Sequence, residues 1–234
     1  MTHTTTLQPS SVTDRLAEAA RYALLRRLAP AIRHDMAGAL QPISMVAVML
    51  EKRMQKPAPD LALIGKNIHD INTLAREASA ACMQLMGWLA PRADAPVTIG
   101  VGVQEAIELI ATELSFQGVN LVNDTAGVTA ILPVSVMRGL FMASLLALTD
   151  THPGPASVVL GAAVDAGHVV LTLTRTSAAG DGGEDSDDAT AALAAYRALD
   201  WDDVRALAAS EGVGLVLGSG RVDLRCPVCA EPAN

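Results

Sequence analysis

The feature that most constrains this chain is a pair of long segments with helical apolar periodicity, joined by a short proline-rich turn. Residues 12–55 contain no strong break except Pro30 and Pro42. Along them Leu25, Leu28, Ile32, Ala39, Ile43, Val46 and Leu50 recur at spacings of three, four and seven. That rhythm predicts a long amphipathic helix with a coiled-coil-like seam, which Pro42 is expected to kink. Lys56-Pro57-Ala58-Pro59-Asp60 reads as a tight turn, with Asp60 as the N-cap of a second helix over 61–90. Leu61, Ile64, Ile68, Ile71, Leu74, Ala78, Cys82, Leu85 and Leu89 fall on one face of it; Pro91 ends it, and 92–96 is a linker. Each helix is about 45 Å long at ~1.5 Å per residue. A lone hairpin buries one side of each helix, whereas two hairpins close a four-helix bundle. The pattern therefore predicts an antiparallel helical hairpin in a homodimer.

After Pro96 the grammar changes. A strand is expected at 97–101 and a helix at 103–117 closed by Gly118. Strands or extended pieces follow at 119–122 and 129–132, around a turn at 123–127. An apolar helix is expected at 134–151, stopped by His152-Pro153-Gly154-Pro155. Residues 157–164 and 168–174 alternate around Asp165-Ala166-Gly167, a hairpin signal. The stretch 178–188 is rich in Gly, Asp and Ser and is expected to lack fixed structure. Helices at 189–199 and 202–210, a Gly212 cap, and a hairpin of 213–217 with 221–225 over Gly218-Ser219-Gly220 complete the chain. The second half thus reads as an α/β sandwich, and the fold class as α + α/β. The expected domains are a polar N-terminus without fixed structure at 1–11, the hairpin at 12–91, the sandwich at 97–229 and a tail at 230–234.

Composition narrows the function classes. The net charge is −8, which argues against general nucleic-acid binding, since neutralising phosphates takes clustered Lys and Arg. Residues 130–149 are apolar enough to mimic a membrane span, but Arg138 stands near their middle, a costly position in lipid. A buried helix is expected there, with no membrane partner. The N-terminus has no apolar signal core, and Cys82, Cys226 and Cys229 are an odd set that suits a reduced setting. A cytoplasmic protein is expected. Cys226-Pro227-Val228-Cys229 has no second pair to complete a zinc site, so no metal is expected. Met45, Met49 and Met54 read as core filling.

Arg33-His34-Asp35-Met36-Ala37-Gly38-Ala39-Leu40 resembles the H-box of bacterial sensor histidine kinases and histidine phosphotransferases, in which a His followed by an acid lies on the first helix of a dimerisation hairpin. In the second half, 103–122 resembles the first helix and second strand of that family's ATPase-like domain. Residues 137–154 resemble its N-box helix, and 204–227 its last helix and final hairpin. The resemblance spans roughly residues 29–227. It implies His34 as phosphoacceptor and Asp35 as the acid that accepts or orients its proton. His34 falls two positions past a core position, on the outer flank of the helix. His3, His69, His152 and His168 have no comparable context.

The resemblance also exposes departures. One turn after His34 the family often carries Asn, Thr or Gln to position a water; Gly38 stands there and puts phosphatase activity in doubt. Positions that match the N-box asparagines hold Ala143 and Ala147, which offer no oxygen to a hard cation. Arg175 or Thr176 falls where an adenine-binding Asp is expected, and Asp181-Gly182-Gly183 lies too far from the strand to replace it. No glycine-rich lid precedes the last helix, where Tyr196 to Trp201 stand. The resemblance then implies a degenerate ATPase-like domain without cofactor, and a phosphotransferase or pseudo-kinase whose partners are a response-regulator receiver and a sensor kinase. A non-catalytic dimeric scaffold and an autokinase with an atypical nucleotide site remain open beside it.

Overall fold

The computed structural model describes residues 12–89, 95–165, 167–177 and 198–227. Two compact units emerge: residues 29–89, and residues 12–28 together with those described from 95 onward.

Helix α1 (Val12–Met54) runs through both Pro30 and Pro42 and contributes to both units. In the first unit it is joined to α2 (Leu61–Leu89) by the expected turn. Asp60 caps α2: its Oδ1 accepts from the N–H groups of Ala62 and Leu63 at 3.0 and 3.1 Å, satisfying donors that the first helical turn leaves unpaired. Arg53 Nη1 donates to Asn67 Oδ1 across the turn at 2.8 Å. On α1, Ile32 is buried, and Ala39, Ile43, Val46 and Leu50 are half-buried. On α2, Ala78 and Leu85 are buried and Ile64, Ile71, Leu74 and Cys82 half-buried. Two expectations fail. Leu61 and Ile68 are exposed, because Leu61 opens the helix and the buried Asn67 takes the inward position next to Ile68. Met45, Met49 and Met54 do not fill the core of the single chain; all three are exposed.

The second unit runs β1 (Pro96–Thr98), α3 (Ile99–Phe116), β2 (Val119–Asp124), β3 (Ile131–Pro133), a π-helical turn (Val136–Phe141), α4 (Met142–Asp150), β4 (Ala156–Asp165), β5 (His168–Ser177), α5 (Trp201–Glu211), β6 (Gly214–Gly218) and β7 (Arg221–Pro227). Five strands form a mixed sheet in the order β2-β4-β5-β7-β6, with β2 parallel to β4 and the other pairs antiparallel. β1 and β3 make a separate short ribbon. Strand alternation puts Val158 and Leu160, Val169, Leu171 and Leu173, and Val222, Leu224 and Cys226 on the buried face, under the helices. The strand expected at 97–101 stops at Thr98. The alternating Val97, Ile99, Val101 and Val103 imitate a strand, but burial of Ile99, Val103, Ala106, Ile110 and Leu114 at spacings of four and three selects a helix. The apolar run at 130–149 is a core element: every residue from Met142 to Thr149 is buried, and Arg138 pairs with Glu105 Oε2 at 2.9 Å. No described helix is long and apolar enough to cross a membrane. Gly102 of α3 faces the π-helical turn, where a Cβ would lie 2.9 Å from Met137 Cγ; only glycine leaves room there.

Residues 12–28 add a third layer. Ala17, Ala20, Leu24, Arg27 and Leu28 form a buried stripe, and Arg21 Nη2 donates to Ser210 Oγ and Glu211 Oε1 of α5 at 3.3 and 3.4 Å. The sequence groups this stretch with the hairpin because its apolar stripe continues the hairpin seam without a break. Polar contacts with α3, α4 and α5, which periodicity cannot reveal, build it into the α/β unit instead.

Candidate functional site

His34 sits on α1 two residues beyond the buried Ile32, about 200° around a helix of 3.6 residues per turn. The site of the sequence expectation is therefore open: the His34 side chain is 70% exposed. Its Nδ1 lies 3.3 Å from Asp35 Oδ1, at the long end of hydrogen-bond range. A carboxylate at Nδ1 favours the tautomer whose proton sits on that nitrogen, which leaves the Nε2 lone pair to solvent. This is the arrangement that a histidine needs in order to act as a nucleophile on an incoming electrophile. Nothing lies within 4 Å of where a Cβ on Gly38 would be, so the turn beyond His34 presents bare backbone and free space.

The positions read against a nucleotide site lie elsewhere, in the α/β unit. Ala143 and Ala147 are fully buried in α4. Their methyl groups are core packing and provide no donor atom. Arg175 of β5 is a clasp: Nη2 donates to Gly154 O at 3.1 Å and Nη1 to Ser177 Oγ at 2.8 Å, tying the strand end to the loop after α4. Asp181-Gly182-Gly183, Tyr196, Arg197, Cys229, the N-terminal residues 1–11, the tail 230–234 and most of the helix expected at 189–199 lie outside the described residues. Cys226 is buried in β7 opposite Val169. His152 Nδ1 is engaged locally with Thr151 Oγ1 at 3.0 Å, and His69 is exposed on α2.

Sequence reasoning passed over one cluster. Arg27 is only 6% exposed. Its Nε and Nη2 make a bidentate pair with the Asp150 carboxylate, both at 2.9 Å, and Nη1 donates to Glu113 Oε1. Asp150 Oδ2 also accepts the N–H of Leu199 at 3.2 Å. Burial works to lower the Arg27 pKa, but the hydrogen bonds and charge of Asp150, then those of Glu113, outweigh it and hold the guanidinium above its ordinary value. The only trace in the sequence is an arginine on an otherwise apolar stripe, and that trace does not name its partners.

No protein-family model matches the sequence, and no curated protein matches it either. Several solved structures are similar. A blue-light activated histidine kinase of Erythrobacter litoralis is 17% identical with a TM-score of 0.42; the match covers 80% of this chain and 63% of that one. A histidine kinase of Acinetobacter baumannii is 13% identical with a TM-score of 0.40, covering 80% of this chain and 96% of that one. A bacterial phosphotransferase is 16% identical with a TM-score of 0.36, covering 93% of this chain and 98% of that one.

Proposed function

We propose that this chain is a histidine phosphotransferase of two-component signalling that carries a phosphoryl group on His34 between response-regulator receivers without using ATP. The observation that carries the reading is the open imidazole of His34 with Asp35 at its Nδ1. In the proposed step the Nε2 lone pair attacks the phosphorus of a receiver's aspartyl phosphate. The P–Nε2 bond forms, the acyl P–O bond breaks, and the receiver's aspartate leaves as a carboxylate. The imidazole ring, with its proton still on Nδ1, becomes cationic. Asp35 offsets that charge through the same hydrogen bond. Transfer to a second receiver runs the step in reverse.

Two further features support the reading. Ala143 and Ala147, in the helix that resembles the N-box, bring methyl groups and no ligating oxygen. The exposed Met45, Met49, Met54, Met83 and Met86 of the hairpin are apolar surface of the kind that a second hairpin covers in a four-helix bundle. The active species in this reading is a homodimer.

The test is to incubate the protein with a phosphorylated receiver and, separately, with labelled ATP, and to assay acid-labile, alkali-stable label. Label from the receiver, none from ATP, and none from either in the His34→Gln variant is the expected outcome. Label from ATP alone moves the assignment to an autokinase. No label from either source moves it to a binding scaffold.

A further inference from the structure

Strand β2 is an edge of the five-stranded sheet: β4 pairs along one side, and among the described residues no strand pairs along the other. Edges of this kind are usually blunted by lysine, proline or a covering element. The sequence of β2, Val-Asn-Leu-Val-Asn-Asp, contains neither lysine nor proline. Beside it runs a groove of about 390 Å³, walled by Ile107, Ala111 and Ser115 of α3 and by Val119, Asn120 and Leu121 of β2. A helix facing the open edge of a strand is the geometry in which an extended peptide adds to a sheet and drops alternate side chains into the gap.

The surroundings define the occupant. α3 and β2 carry Glu105, Glu108, Glu113 and Asp124 and no Lys or Arg. Glu105 and Glu113 are committed to Arg138 and Arg27. Glu108 and Asp124 are exposed and have only the Gln104 amide, on Glu108, as a described neighbour. We infer that the β2 edge and its groove are a docking site for an extended segment of a partner protein in which aliphatic residues alternate with basic ones. The backbone of that segment continues the sheet, its aliphatic side chains enter between α3 and β2, and its cations meet Glu108 and Asp124. The inference is independent of His34 and survives or fails apart from it.

The probe is a fluorescent synthetic hexapeptide that alternates valine and lysine. The control is the same peptide with proline in place of valine, which keeps the charge but cannot join a ladder. Fluorescence anisotropy with the intact chain is expected to show saturable binding of the first peptide and not the second. Glu108→Lys combined with Asp124→Lys is expected to weaken binding at least about tenfold; both positions are exposed, so the variant keeps the fold. Hydrogen exchange is expected to slow in β2 and not in β6. Equal binding of the proline peptide, affinity unchanged by charge reversal, or protection confined to β6 overturns the assignment. Concentration-dependent association of the protein with itself that slows exchange in β2 and is not competed by the peptide also overturns it and makes a second copy the occupant.

Discussion

Arg27 and His34 stand one heptad apart on the same helix, and they live in opposite conditions. Arg27 is buried under two carboxylates with its donors engaged. His34 is open, with one carboxylate at arm's length. The difference shows what a continuous helix can do when its two halves belong to different units. The first half spends a charge on structure, where low dielectric makes the pair strong and an orphaned partner costly. The second half keeps its polar group in water, where it adds little to stability and stays accessible. Under the proposed reading, electrostatic content alone does not mark the functional site in this chain: the more elaborate charge cluster ties elements of the fold together, and the sparser one carries the chemistry.

The comparison is sharpest if the two residues are exchanged between assays. His34→Gln is expected to lower phosphoryl uptake from a phospho-receiver by on the order of 10³-fold or more, while urea denaturation moves by less than about 0.5 kcal/mol. Arg27→Leu is expected to do the reverse. It leaves Asp150 and Glu113 without their cation and costs about 3–5 kcal/mol, with uptake retained wherever the protein is still folded. A His34 variant that unfolds, or an Arg27 variant that is stable but inert, would break the contrast.

A pair of glycines extends it. Gly102→Ala forces a methyl group against Met137 inside the core and is expected to destabilise by about 1–3 kcal/mol. Gly38→Ala, the same change in open space beside His34, is expected to stabilise by about 0.5–1 kcal/mol. Thermal melts of the two variants should therefore shift in opposite directions.

The smallest effect concerns the first turn of α5, where Asp200 and Asp203 form a reciprocal capping box. Burial, assisted by the charges of Asp200 and Asp202, raises the Asp203 carboxyl above its ordinary value. A raised folded-state pKa contributes stability in acid that is lost as pH climbs through it. Asp203→Asn is accordingly expected to gain on the wild type between pH 3 and neutrality, measured as the difference in denaturation midpoint at the two ends. A difference that shrinks over that range reverses the sign and removes burial as the cause.

Legibility in the sequence followed the range of the interaction. Helix ends that depend on neighbouring residues were readable: Asp60 caps α2, Gly212 closes α5 in the left-handed region at φ 64°, and Gly118 follows α3 at φ 76°. The outward placement of His34 was readable because it depends only on helical phase relative to Ile32. What was not readable depends on partners distant in sequence. Val97 to Val101 satisfies a strand pattern and a helix pattern equally until the sheet and the π-helical turn choose between them. Arg27 belongs with Asp150, 123 positions further along the chain, and nothing local announces that pairing. The exposed methionines follow the same rule: apolar character does not say whether the chain itself or a neighbour provides the cover.

The long reach of the α1 clasps bears on how the protein is made. Arg21 meets Ser210 from 189 positions away, so the ribosome delivers the first half of α1 well before it delivers the surface that α1 rests on. At ~5–20 residues per second that interval is roughly ten to forty seconds. Within that interval Arg27 gains Glu113 and then Asp150, while Arg21 still waits for its partners on α5. Completion of the third layer therefore waits for α5, and a chain truncated before α5 has no means of completing it.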